Sequence, residues 1–269
     1  MRNLLTVIAI SLLTVAIPQE SSKKSSSKDG PPKPVAVKYH YGLLHGFVVL
    51  RDDKGEIIAA GDLTQTPKGD QIVNKLSFKF RDGSTYEDTA IFTQRRNFRL
   101  VSDHLVQKGP SFKHPLDLTV DCQSGFVTVV SADDDGKPQN TQQRMNLPVD
   151  IANGITPVLL TNAAPESGGE LKLSMIVATP KPRLVKLAIT PAGEDSFTHA
   201  GVQRKAAHYV AKIELGGVAG VVAPIVGKQP PDTHLWIATG DAPQVIRSQG
   251  PMFDGGPIWT LDLAAPTWQ

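Results

Sequence analysis

The chain has 269 residues, with 28 Lys and Arg against 26 Asp and Glu and a formal net charge of +2. So small a surplus, interleaved with acidic residues along the chain, excludes the basic stripe that a nucleic-acid binder needs. The single cysteine, Cys122, excludes an internal disulfide and a thiolate metal cluster.

Residues 1–19 supply a positive start at Arg2 and an uncharged apolar run over 4–17 that ends near small residues and Pro18. A spanning helix needs roughly 20 apolar residues, so this shorter run reads as a secretory signal, with cleavage near residues 16–19. The protein is expected to be exported, periplasmic or extracellular. The apolar run does not end at a cysteine that could take a lipid. Residues 20–40 follow as a Ser/Lys/Pro tether with almost nothing to bury, which cannot recover its ordering entropy. Its lysines fit a solvated spacer or a peripheral contact with an anionic envelope surface.

Roughly 230 residues remain, read as one β domain over 41–269. Short runs rich in strand formers recur at 46–50, 57–63, 76–80, 85–94, 98–106, 116–122 and 126–130, separated by turns such as Asp52-Asp53-Lys54-Gly55 and Gln123-Ser124-Gly125. Leu76, Phe78 and Phe80 alternate with Ser77 and Lys79, so that strand is half buried. A two-residue loop at Asp82-Gly83 would set its apolar row against Thr85, Glu87 and Thr89. A three-residue loop, Arg81-Asp82-Gly83 with a left-handed glycine, pairs Phe78 with Tyr86 and carries Ala90 and Phe92 to the apolar face. The bulged turn is the predicted one.

The rhythm breaks at residues 147–162. Asp150 or Asn153 is expected to cap a short helix, with Pro157 in its first turn if it begins near Thr156. Ile151, Ile155, Val158, Leu159 and Leu160 would cover one mouth of the curved sheet. A second series follows at 171–178, 184–190, 197–203, 206–215, 235–239, 244–248 and 258–263. No strand alternates with a long amphipathic helix, so the fold class is all-β and mainly antiparallel. The expected architecture is a curved meander forming a half barrel, a barrel or two packed sheets, with one short inserted helix. The uncharged, glycine-rich stretch 216–227 reads either as the apolar lip of a ligand cavity or a membrane-touching loop, or as a strand pair packed in the core.

Chemical motifs are sparse. The Asp133-Asp134-Asp135-Gly136 loop lacks a chelating glutamate at the twelfth position of a calcium loop. There is no G-x-S-x-G, H-E-x-x-H or P-loop spacing. The seven histidines never fall two or four apart. His104 sits in the row Phe98, Leu100, Ser102, His104, Val106 and is expected to face the interior, where a catalytic role with Asp88 competes with a satisfied core or rim histidine. Cys122 ends an alternating strand and reads as a small buried residue. Arg183 and Arg247 fit either an anion clamp or cross-strand ion pairs. No cofactor or metal is implied.

The surplus of apolar rows points to a non-enzymatic binding module for an apolar or amphiphilic, lipid-like ligand. Phe78, Tyr86, Leu100, His104, Met175 and Tyr209 are the candidate ligand-binding residues. A structural or protein-interaction role in the cell envelope is the alternative.

The helix-like segment at 147–162 within strands, followed by Ile246-Arg247-Ser248-Gln249-Gly250-Pro251 and Gly255-Gly256-Pro257-Ile258-Trp259, resembles the bacterial exported half-barrel proteins grouped as domain of unknown function 3108. The resemblance covers residues 43–269 and implies a curved sheet wrapped partly round a helix. It implies no catalytic residues.

Overall fold

The computed structural model describes residues 31–132, 136–178, 181–199, 202–214, 230–240 and 242–264. The signal, most of the tether, Asp133 to Asp135 and the glycine-rich stretch lie outside the described residues.

One 14-stranded antiparallel sheet carries the fold. Its strands are β1 (Leu44–Arg51), β2 (Ile57–Lys68), β3 (Gln71–Phe80), β4 (Thr85–Gln94), β5 (Phe98–Lys108), β6 (Leu116–Asp121), β7 (Phe126–Ala132), β8 (Pro138–Arg144), β9 (Leu171–Ala178), β10 (Pro182–His199), β11 (Val202–Glu214), β12 (Thr233–Ala238), β13 (Gln244–Pro251) and β14 (Ile258–Ala264). Among the described residues a single helix, α1 (Thr156–Ala163), lies between β8 and β9. Across the sheet the order is β8 to β1, then β14 down to β9, so the first and last strands pair at the centre, Val48 opposite Leu263. Both free edges, β8 and β9, therefore flank the break in the meander. The sheet is all-β, open and curved around the inserted helix, as the sequence rhythm predicts.

The hairpin of β3 and β4 takes the bulged turn. Phe78 pairs with Tyr86, Gly83 has φ +85°, and Gly83 N donates to Phe80 O at 3.2 Å. Phe78, Phe80, Ala90 and Phe92 are all buried. One expected strand is divided differently, and one strand was not expected at all. The run expected as one strand at 197–203 is divided between the end of β10 and the start of β11, which pair from Lys186 with Glu214 to His199 with Val202 with a register shift between Pro191 and Gly193. Strand β8 has no apolar alternation and is exposed along most of its length, so periodicity could not reveal it.

The helix is buried at Val158, Leu159, Leu160, Thr161 and Asn162. It packs in one core with Phe92, Leu100, Leu118, Val127, Leu173, Ile189, Tyr209 and Leu235, from both halves of the sheet. Burying each large apolar side chain contributes roughly 1.5–3 kcal/mol, so α1 is a structural plug. Pro157 sits in the first turn as expected. Neither Asp150 nor Asn153 caps the helix; Ile155 occupies the cap position and makes no side-chain cap bond. The two residues cover the free edge of β9 instead. Ser174 N donates to Asp150 O at 3.1 Å, Ala152 N donates to Ser174 O at 2.8 Å, and the Asn153 amide exchanges bonds of 2.8 and 2.9 Å with Ile176. An unpaired edge is an aggregation hazard, and this segment removes part of it.

The last tether residues are docked, unlike the composition-based expectation. Val35 is buried, Phe98 N donates to Val35 O at 2.9 Å, and Asn162 Oδ1 accepts from Lys38 N and Tyr39 N at 2.9 and 2.7 Å. These contacts strap residues 35–39 across the end of α1.

Candidate functional site

Two apolar clusters fill the concave face. The larger surrounds α1, and the smaller holds Val48, Leu50, Ala59, Phe78, Phe80, Tyr86, Phe112 and Trp259. Between them runs a polar seam created by register. In β4 the inward residues are Tyr86, Asp88, Ala90 and Phe92. In β5 Ile91 pairs with Ser102 but Phe92 pairs with Leu100, so Val101 is an extra residue. That bulge inverts the parity of β5. Phe98 and Leu100 point inward before it, whereas Asp103 and Gln107 are buried after it and His104 is exposed.

His104 is therefore corrected to the outer face, where Nε2 lies 3.0 Å from Asp117 Oδ1. It cannot share a site with Asp88, which lies on the opposite face. The sequence row ran straight through Val101 because a bulge without glycine leaves no mark in apolar alternation.

The seam residues are close together. Asn74 pairs with Ala90, and Ala90 with Asp103, while Asp88 is the diagonal neighbour of Asp103. Gln65 Nε2 donates to Asn74 Oδ1 at 3.2 Å, and Asn74 Nδ2 donates to Gly154 O at 3.3 Å. Gly154, with φ +64°, sits over small Ala90; a Cβ there would come within 2.3 Å of Asp103 Oδ1, 2.6 Å of Ala90 Cβ and 3.1 Å of Asp88 Oδ1. The seam is thus a socket for the loop that leads into α1, and only glycine fits it.

The two carboxyl groups are diagonal neighbours on adjacent strands. Burial, then the neighbouring Asp88 charge, holds the Asp103 carboxyl well above the usual range. Burial also raises Asp88, with bonds from Asp103 and Tyr86 opposing the shift. Asp103 is 1 % exposed, and Asp88 is half-buried with its Oδ1 enclosed. Asp88 Oδ1, Asp103 Oδ1 and Gln107 Oε1 are buried without a hydrogen-bond partner among the described residues. A buried acceptor left unsatisfied costs about 1–3 kcal/mol. The pair is a cost to the fold rather than a brace.

Tyr86 connects the seam to solvent. Its hydroxyl makes a long hydrogen bond of 3.4 Å to Asp88 Oδ2, and its ring meets Phe78 edge-on at 6.1 Å. Burial first, then the charges of Asp88 and Asp103, raises the phenol well above its ordinary value. Tyr86 also lines a cleft of about 250 Å³ with Leu50, Leu76, Thr233, Ser248, Gly250, Pro251, Met252, Trp259 and Leu261. An inward row crosses the sheet here, Phe80, Ala59, Leu50, Leu261, Ser248, Leu235, Tyr209. Ser248 is the one small polar residue in that row and leaves room. Gln107, paired with Tyr86, donates Nε2 to Met252 O at 2.9 Å and fixes the far wall.

Of the six residues expected to bind ligand, Tyr86 alone lines the cleft, with Phe78 packed beside it. Leu100 and Tyr209 belong to the cluster around α1, Met175 is half-buried outside both clusters, and His104 faces outward. Phe78 lies in the smaller cluster, Leu100 and Tyr209 in the one that surrounds α1, and Met175 in neither. Sequence reasoning missed Leu50, Ser248, Met252, Trp259 and Leu261, which come together only through the pairing of β1 with β14. A groove of about 390 Å³ lies across β10 and β11, lined by Glu170, Lys212, Glu214 and Asp232 among others. Its charges are paired, Lys172 with Glu214 and Lys212 with Asp232, so it presents no unmet chemistry.

Outside, Arg247 pairs with Asp262 at 2.6 Å across β13 and β14, the cross-strand alternative to an anion clamp. His208 stacks on Trp236 with centroids 4.5 Å apart. No group of three or more His, Cys, Asp or Glu suited to a metal occurs among the described residues.

No family model matches the sequence, that of domain of unknown function 3108 included, and no curated protein matches it. Among solved structures, the chain is similar to the hypothetical lipoprotein YmcC from Escherichia coli K12, at 13 % identity and a TM-score of 0.40, covering 84 % of this chain and 87 % of that one. It is also similar to a β-barrel-like protein of domain of unknown function 1849 from Brucella abortus, at 8 % identity and a TM-score of 0.41, covering 83 % and 99 %. Likenesses at these scores do not bear on function.

Proposed function

We propose that the protein is an exported, non-enzymatic binding module whose cleft takes a small amphiphile. The observation that supports this reading is the open cleft of about 250 Å³ walled by Leu50, Leu76, Met252, Trp259 and Leu261, with Tyr86, Thr233 and Ser248 beside them. Apolar side chains set beside polar groups, Thr233 and Ser248 among them, suit a ligand that is itself part polar and part apolar. Drug-sized sites span roughly 300–1,000 Å³, so this cleft fits a short chain or the end of a longer one. Export rests on the apolar run at 4–17 with its positive start.

The neutral dye N-phenyl-1-naphthylamine tests the reading. Saturable fluorescence enhancement in the mature protein, abolished by Ser248→Phe with the fold retained, is the expected result. Equal enhancement in both proteins would place the dye elsewhere and remove the cleft from the account.

A second reading, a structural component of the cell envelope, is favoured by the filled face around α1 and by Phe126 and Val130, exposed on the outer side of β7. Crosslinking in the native envelope that recovers only monomer would count against it.

A further inference from the structure

The cleft has a charge behind one wall and no counter-charge. Asp88 lies behind Tyr86, its Oδ2 3.4 Å from the phenol hydroxyl, with Asp103 as its diagonal neighbour. Among the described residues, no Lys, Arg or His lines the cleft. The basic side chain that acts on Asp88 is His104, on the far face of β5 and already beside Asp117. Arg51 and Arg247, on strands that border the cleft, are both bonded to Asp262 on the outer face. Gln107 Oε1, on a side chain 1 % exposed that holds Met252 in place, is a further acceptor without a donor. Acceptors and negative charge thus back this wall, and a shielded site weakens such fields less than water does.

Resting on the binding reading above, we propose that the cleft selects amphiphiles by charge, taking a primary alkylammonium head in preference to an alkyl carboxylate. The two carboxyl groups act through the field at Tyr86 and the cleft wall, since their free oxygens are enclosed. An ammonium seated near Tyr86, with the Thr233 and Ser248 hydroxyl oxygens accepting hydrogen bonds from its N–H groups, offsets the charge behind the wall. A carboxylate at the same place meets like charge and finds no cation.

Displacement of N-phenyl-1-naphthylamine from the mature chain by octylammonium, octanoate and octanol, at pH 7 and low ionic strength, tests the proposal. Octylammonium is expected to displace the dye at a concentration at least tenfold below octanoate, a difference of about 1.4 kcal/mol. In Asp88→Asn/Asp103→Asn the ratio should fall to within about threefold. Asp103→Asn alone, with circular dichroism as a fold check, serves if the double variant does not fold. Equal displacement by the two ions, preference for octanoate, or a ratio unchanged by the substitutions overturns charge selection while leaving the binding reading intact. No saturable binding of the dye or of any octyl compound overturns both.

Discussion

Asp103→Asn perturbs the acid pair with little change in shape, because an amide can donate to the Asp88 carboxylate as the protonated acid does. The Asp103 carboxyl lies well above its ordinary value in the fold through burial and the Asp88 charge, so in the pH range between the unfolded value near ~3.9 and its folded value the native state holds more protons than the unfolded chain. Stability therefore falls as pH rises through that window, by about 1.4 kcal/mol per pH unit for one proton. Below the unfolded value the penalty vanishes. For a domain of this size that slope corresponds to about 3–6 °C in Tm per pH unit. Asp103→Asn removes the titrating group and relieves Asp88, so the variant should match the wild type near pH 4 and exceed its stability increasingly toward pH 7. Urea unfolding followed by circular dichroism across pH 4–8 measures this. A variant less stable than wild type at pH 7, or one with the same pH slope, would refute the claim that the pair is a buried, proton-holding cost.

Gly154→Ala should cost about 2–5 kcal/mol, from a left-handed φ and from the collision of Cβ with Asp103 and Ala90, whereas Gly83→Ala, with a similar φ and open space around it, should cost about 1 kcal/mol; urea midpoints give the contrast. Leu160→Ala, at a position fully buried in α1, should lose about 2–5 kcal/mol in the same assay, and a loss under ~1 kcal/mol would mean α1 is not a plug. Burial, chiefly, pushes the Cys122 thiol up to about 12, so Ellman's reagent should label it slowly in native protein at pH 8 and rapidly in denaturant.

Alternation with turn chemistry made much of the fold legible. Leu76, Phe78 and Phe80 with Gly83 determined a hairpin register, and Pro157 placed the helix start. Three things were not legible, each for a physical reason. Strand β8 is a polar edge, where burial imposes no pattern. The bulge at Val101 needs no special residue, yet it turned His104 outward and brought Asp103 inside. The cleft depends on β1 meeting β14, a pairing between the ends of the domain that no local pattern encodes. Asp150 and Asn153 look like helix caps because both residue types cap well, but the open edge of β9 offered them backbone partners instead. The candidate site was legible at Tyr86, whose partner Phe78 followed from hairpin parity.

The most direct test of the account is the crystal structure of the mature protein grown with octylammonium, compared with one grown with octanoate. The account predicts density for an alkyl chain along Leu50, Leu261 and Trp259 with the ammonium near Tyr86 and Ser248, and a cleft free of octanoate at equal concentration. A cleft closed by its own side chains, or octylammonium seated only on the outer face of the sheet, would contradict it.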